Sequence, residues 1–312
     1  MNRRLIWGAG VVIALLTGVT FFALWSASGQ LLFPVSRGVK KDLAFCPPEA
    51  EHHWGKHCGN LRQTGIWKFH EVSFENAAAL KLSGWLIRGA DNGRTAARGA
   101  VLLAHGGGSD RREMTRLISM YLKHGLDVLT FDYSCHGESP CAVPGLTYGE
   151  RESHDILAAY NFLRGRYIKI YAFGSSVGAT AVLTALPHLE GIAGVIAENA
   201  PYSFARLLRE TPAAPQEIPG WFTALLVDVT QSRGKFTGSP NAPDALAATR
   251  SAPIMFIHSR NDEVVPVSHT VDLAAAYSGK KTLWLPDYGK HGAIYDANPV
   301  AYEKRVAAFL SE

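Results

Sequence analysis

The chain has 312 residues, 47% of them hydrophobic and 19% charged, with a formal net charge of +4. A chain of this size and apolar content buries a large core without needing a metal or a disulfide to fold. Its basic residues, among them Arg37, Lys40, Lys41, Arg111, Arg112, Lys280 and Lys281, occur as scattered pairs, and no stripe of Lys and Arg interleaved with aromatics marks a nucleic-acid partner.

Arg3 and Arg4 precede an uncharged run from Leu5 to Trp25, long enough to cross a bilayer. Ser26-Ala27-Ser28 offers small residues for cleavage, but the run exceeds the apolar region of a secretory signal peptide. It is apolar all round and so lacks the amphipathic face of a core helix. Residues 1–28 are therefore expected to be a single-pass membrane anchor or signal-anchor. Arg3 and Arg4 lie nearer the run than Arg37, Lys40 and Lys41, which by the positive-inside count sends the rest of the chain to the extracytoplasmic side, the periplasmic side in a bacterium. Cys46, Cys58, Cys135 and Cys141 form two sequence-local pairs, compatible with an oxidising compartment. A Cys46–Cys58 bridge would contribute about 3 kcal/mol by closing its short loop, and two ordinary thiols are the alternative.

Residues 29–65 are rich in Pro, Gly, His and charge and read as a linker and lead-in. His52, His53 and His57 beside the first cysteine pair match no tetrahedral ligand spacing, so a solvated loop is expected there and no metal. Ile66–Phe74 and Ala79–Arg88 read as antiparallel strands. The pattern then alternates: strand Ala100–Ala104, helix Arg111–His124, strand Asp127–Phe131, helix Gly149–Arg164, strand Ile168–Phe173. Strands Gly194–Ala197, Ile254–Ile257 and Thr282–Leu285 follow, and helix Pro299–Leu310 closes the chain. Continuous apolar strands separated by helices imply a mostly parallel sheet covered on both faces. The proline-punctuated interval 202–251, with its apolar island Trp221–Val227, suits a cap or lid inserted after the sixth strand. The island is expected to line an acyl pocket, dip toward a membrane, or form the cap's own core.

Chemistry enters at Gly174-Ser175-Ser176-Val177-Gly178, between the run Ile168–Phe173 and a small, apolar helical stretch. A G-x-S-x-G pentapeptide there turns so sharply that the serine stands exposed above the sheet, with glycines giving clearance, and Ser176 is the candidate nucleophile. A serine hydroxyl needs a base, and the base needs an orienting acid. Asp262 follows the strand ending at His258, on the carboxyl end of the sheet where functional loops gather. His291 lies just after the last strand. The order Ser176, Asp262, His291 is that of α/β-hydrolases rather than of chymotrypsin-like or subtilisin-like enzymes. His105-Gly106-Gly107-Gly108 follows strand Ala100–Ala104, where backbone N–H groups can face an oxyanion. Gly107 is the preferred loop donor, Gly106 the fallback, and Val177 N–H the second donor. Glu198 is the rival acid, Asp287 and Asp296 read as solvated loop residues, and Asp132 and His136 as residues tying loops around the site.

With these features the chain resembles the α/β-hydrolase superfamily, in particular its abhydrolase-type lysophospholipase and serine-aminopeptidase-like members, over residues 69–311. The resemblance is carried by the His-Gly turn at His105, Phe131-Asp132-Tyr133 followed by His136-Gly137-Glu138-Ser139, the elbow at Ser176, the Asp262 loop and His291-Gly292. One departure is Ser134-Cys135, where similar sequences often carry Arg-Gly. The resemblance implies an eight-stranded, mostly parallel sheet, a catalytic domain over residues 66–312, and acyl-bond hydrolysis through an acyl-enzyme without a cofactor. The expected activity is that of a membrane-anchored serine hydrolase on a carboxylic ester or thioester, its substrate a small-molecule or lipid-like acyl compound. Peptide or amide hydrolysis is the nearest alternative, and a non-catalytic binding protein of the same fold is the third.

Overall fold

A computed structural model describes residues 3–34, 43, 46, 48–212, 218–250 and 252–311. Arg37, Lys40 and Lys41, counted above for orientation, lie outside the described residues. In chain order the elements are α1 (Arg3–Leu32), α2 (Pro48–Trp54), β1 (His70–Glu75), β2 (Lys81–Ile87), β3 (Gly99–Ala104), a 3-10 segment (Arg111–Leu117) continuing into α3 (Ile118–Lys123), β4 (Leu126–Phe131), α4 (Glu150–Arg164) and β5 (Ile170–Ser175). Then come α5 (Val177–Ala185), β6 (Gly194–Glu198), α6 (Phe204–Glu210), α7 (Gly220–Gly234), α8 (Ala242–Ala248), β7 (Ile254–Ile257), α9 (Val267–Ala276), β8 (Lys281–Trp284) and α10 (Pro299–Leu310).

The eight strands form one sheet in the order β1-β2-β4-β3-β5-β6-β7-β8, antiparallel at β1–β2 and β2–β4 and parallel from β4 onward. Alternation along each strand divides the core into two layers. Leu102, Ala104, Ala172, Val195 and Phe256 pack with residues of α4, α5, α8 and α9 on one face. Val101, Leu103, Phe173, Ile196 and Met255 pack with the 3-10 segment, α3 and α10 on the other. Leu102 is fully buried, and truncating such a side chain to alanine costs about 2–5 kcal/mol.

Three expectations shift. The first strand starts at His70, because Asn92 bonds both N–H and C=O of Lys68 and holds that stretch as a loop. The helix expected over Arg111–His124 opens as a 3-10 turn, with Arg111 N–H on Asp132 and the Arg112 side chain on Asp110. The stretch expected as linker carries helical turns, α2 among them, and a Cys46–Cys58 disulfide; the second disulfide is Cys135–Cys141.

α1 contains a 22-residue segment, Val11–Leu32, long and apolar enough to cross a membrane. Most of its large apolar side chains from Val11 to Phe22 point outward, whereas Leu24, Ser28 and Leu32, four apart, form a buried stripe. That stripe packs beside α7. Leu32 sits where a Cβ on Gly234 or Gly145 would come within 2.7 or 3.1 Å of it. The apolar island Trp221–Val227 belongs to α7, and Trp221 remains 58% exposed.

Candidate active site

Ser176 sits at the β5–α5 junction with φ 54° and ψ −119°, a conformation costing on the order of 1–3 kcal/mol in a non-glycine residue. The neighbouring strands hold it there. Ser176 N–H donates to Glu198 O on β6 at 2.8 Å, and the flanking glycines allow the close approach: a Cβ on Gly174 would lie 2.4 Å from Gly178 O, and one on Gly178 2.3 Å from Ala104 O.

Two loops converge on this serine from the carboxyl ends of β7 and β8. They are cross-tied, since Arg260 N–H donates to Pro286 O at 2.9 Å, Asn261 Nδ2 to Asp287 O at 2.8 Å and Ser259 Oγ to Gly289 O at 2.5 Å. The tie brings His291 Nε2 to 2.9 Å from Ser176 Oγ and His291 Nδ1 to 2.7 Å from Asp262 Oδ2. Asp262 Oδ1 accepts the N–H groups of Val264 and Val265, each at 2.8 Å. Burial pushes the Asp262 carboxyl upward, but hydrogen bonds from His258 and His291, the charge of His291 and the Val265 amide outweigh it and hold the group well below the usual carboxylate range. Ser176, Asp262 and His291 are thus brought into one hydrogen-bonded line.

Beside Ser176, a Cβ on Gly107 would meet Val177 Cγ2 at 2.7 Å, so that loop presses against the start of α5. The N–H groups of Gly107 and Val177 have no acceptor among the described residues. Gly106, the fallback donor, is corrected by its own hydrogen bond: its N–H donates to Glu113 Oε2 at 2.9 Å, and Ser109 Oγ donates to the same oxygen. Sequence reasoning missed Glu113, whose Arg-Arg-Glu setting resembles a solvated helix start. It also missed His258, buried at the end of β7 with Nδ1 2.6 Å from Thr270 Oγ1 and Nε2 3.2 Å from Asp262 Oδ2.

The rival acid Glu198 is buried and accepts Tyr302 Oη at 2.6 Å, and burial raises its pKa. Asp287 is a solvent-exposed partner of Arg260. Asp296 is likewise exposed, as expected, and pairs with Arg116 at 2.7 Å. Asp132 accepts Arg111 N–H and Glu138 N–H at 2.8 Å each, and burial, opposed by Arg111, pushes it up to about 7. Ser134, at the departure from the usual Arg-Gly, bonds Asp155 through its N–H and its hydroxyl at 2.8 and 2.9 Å. Among the described residues no group of three or more His, Cys, Asp or Glu side chains is arranged to hold a metal.

The line opens into a cavity of about 680 Å³ reached by Ser176, His291 and Gly107 and walled chiefly by apolar groups, Leu31, Leu146 and Leu207 among them. That volume is typical of small-molecule sites. The apolar island of α7 does not line it.

The chain is 28% identical over 216 residues to the Bacillus subtilis protein YqkD, covering 67% of this chain and 70% of that one. It is 24% identical over 294 residues to the Caenorhabditis elegans α/β hydrolase domain-containing protein aho-3, covering 89% and 79%. Among solved structures, the Pyrococcus furiosus esterase Pf2001 superposes with a TM-score of 0.63 at 23% identity, covering 78% of this chain and 91% of that chain. An Exiguobacterium antarcticum esterase superposes at 0.58 and 16% identity, covering 78% and 100%. The sequence pattern of the prolyl oligopeptidase family matches residues 145–312, the stretch that holds Ser176, Asp262 and His291. By that match and by its sheet order, the chain belongs to the prolyl oligopeptidase family, within the α/β-hydrolase superfamily.

Proposed function

We propose that the protein is a membrane-anchored serine hydrolase that cleaves a carboxylic ester or thioester through an acyl-enzyme on Ser176. The observation that carries the reading is the line of hydrogen bonds from Ser176 Oγ through His291 to Asp262, at 2.9 and 2.7 Å. His291 Nε2 takes the hydroxyl proton as Oγ attacks the acyl carbon, and Asp262 stabilises the imidazolium. The N–H groups of Gly107 and Val177 hold the oxyanion of the tetrahedral intermediate. His291 then passes the proton to the departing alcohol or thiol. Water repeats the attack on the acyl-enzyme by the same route, releasing the acid and restoring Ser176.

The apolar wall of the cavity supports an acyl group as the bound moiety. The family match is the observation that favours a second reading, peptide hydrolysis by the same residues. Anchoring is supported by the outward-facing apolar side chains of α1, and an extracytoplasmic position by the two disulfides.

The test treats wild-type protein and Ser176→Ala with a fluorophosphonate probe and assays both on p-nitrophenyl butyrate and on a proline-containing peptide p-nitroanilide. Labelling and ester turnover confined to wild type are expected. Turnover retained by Ser176→Ala removes Ser176 from the mechanism, and faster cleavage of the anilide than of the ester selects the peptidase reading. Folded wild-type protein that neither labels nor turns over belongs to the binding-protein alternative.

A further inference from the structure

The apolar part of the cavity is built from two directions. Leu31 comes from α1 and Pro34 from just beyond it, while Leu146, Tyr148, Leu207 and Leu208 come from the loop before α4 and from α6. The α1 side is firmly seated. Leu146 N–H donates to Leu32 O at 3.0 Å, Tyr148 Oη donates to Leu31 O at 3.0 Å, and Leu32 is buried with Phe204 and Phe236. Two turns back, the Arg233 guanidinium of α7 lies 3.6 Å from the Trp25 ring centroid and bonds Trp25 O and Ser28 Oγ.

The helix that supplies this wall is also the one with outward apolar side chains from Val11 to Phe22. From Trp25 to Leu31 the rise is about 9 Å, a little more than the polar region of one leaflet, about 5–7.5 Å deep. α7 adds a second apolar ridge. Its C-terminal end packs on Trp25, Ser28 and Leu32, and its first turns keep Trp221 and Leu225 exposed. The exposed rings of Trp25 and Trp221 are of the kind that suits a membrane interface.

We infer that α1 is a wall of the substrate site as well as an anchor, and that the substrate is a long-chain acyl ester or thioester withdrawn from the leaflet in which α1 is embedded. The inference rests on the serine-hydrolase reading. A chain leaving hydrocarbon is disfavoured by every methylene it exposes to water. A wall continuous with the membrane segment receives those methylenes as they leave.

The test uses the full chain in phosphatidylcholine vesicles carrying p-nitrophenyl esters from butyrate to palmitate. Leu31→Trp fills the site from the α1 wall and Leu208→Trp from the opposite one, and fluorophosphonate labelling reports that the serine site of each variant is formed. Wild type is expected to prefer palmitate in kcat/KM. Each variant should lower the palmitate-to-butyrate ratio by about tenfold or more, the discrimination that one or two methylenes carry in an apolar pocket. An unchanged ratio in a labelled variant, or a wild type that prefers butyrate, overturns the inference and leaves the hydrolase reading standing. A wild type that neither labels nor hydrolyses any ester overturns both.

Discussion

In Asp262→Asn the side chain keeps its shape while the proton positions around it change. Oδ1 faces two donors, the N–H groups of Val264 and Val265 at 2.8 Å, so the Asn oxygen is held on that side. The NH2 then takes the place of Oδ2, 2.7 Å from His291 Nδ1. A donor there obliges Nδ1 to accept and moves the ring proton to Nε2, which faces Ser176 Oγ at 2.9 Å and can no longer take its proton. The opposite amide flip leaves two N–H groups facing an NH2, at about 1–3 kcal/mol for each buried donor left unpaired. The corresponding change in a Ser-His-Asp protease lowers kcat about 10⁴-fold, or about 5 kcal/mol of barrier at 1.36 kcal/mol per decade. The expected outcome here is a fall in kcat of about 10³- to 10⁴-fold on p-nitrophenyl butyrate, with the thermal midpoint recorded alongside to establish folding. A folded variant within about tenfold of wild type would refute the assignment and return Glu198 to consideration.

Gly178→Ala forces a Cβ to 2.3 Å from Ala104 O and 2.6 Å from His105 O, both backbone atoms; loss of folded protein or of fluorophosphonate labelling is expected, and a wild-type thermal midpoint with full labelling would contradict the packing described for the elbow. Deleting residues 1–28 removes Leu24, Trp25 and Ser28 from α7 but leaves Leu31 and Leu32, so a soluble, less stable, active protein is expected. Extending the deletion through Pro34 removes Leu32 as well, a buried contact of about 2–5 kcal/mol; equal thermal midpoints for the two truncations would exclude Leu32 as a seat. His269 is held neutral by burial and then by Arg206, its pKa lowered from 6.5 to about 4. The unfolded chain therefore binds the extra proton over that interval, so stability is complete above about pH 6.5 and declines as pH falls toward 4. His269→Gln should flatten that part of the thermal midpoint against pH, and an unaltered slope would assign it to other groups.

The positions of Ser176, Asp262 and His291 could be read from the sequence because each follows an apolar strand, and local pattern locates strand ends well. Glu113 could not, since its role depends on Gly106 N–H arriving from the loop after β3. Nothing in Arg111-Arg112-Glu113 announces a buried carboxylate. His258 was hidden for a related reason: it reads as the last residue of a strand, and its partner Thr270 lies on α9. The apolar island at Trp221 had three open readings because its partner, α1, lies 208 residues away at the Arg233–Trp25 contact, beyond the reach of any periodicity. Leu31 was hidden as a cavity residue for the same kind of reason, its partner Tyr148 lying 117 residues further on. Ser134-Cys135 stood out as a departure, and only the fold supplies its replacement contacts, Asp155 for the serine and Cys141 for the cysteine.

The buried stripe of α1 covers only Leu24 to Leu32, while thirty residues of helix measure about 45 Å. The remainder is a stiff shaft, and the sheet domain is mounted on it at a set angle rather than trailing from a thread. In a bilayer, such a mounting fixes the height of Ser176 above the lipid, and tilting the whole assembly is the motion that alters it. On the proposed reading, encounter with a lipid-borne ester would then be a search in two dimensions. Turnover would follow the mole fraction of substrate in the membrane plane, and diluting the vesicles at constant lipid composition would leave it unchanged.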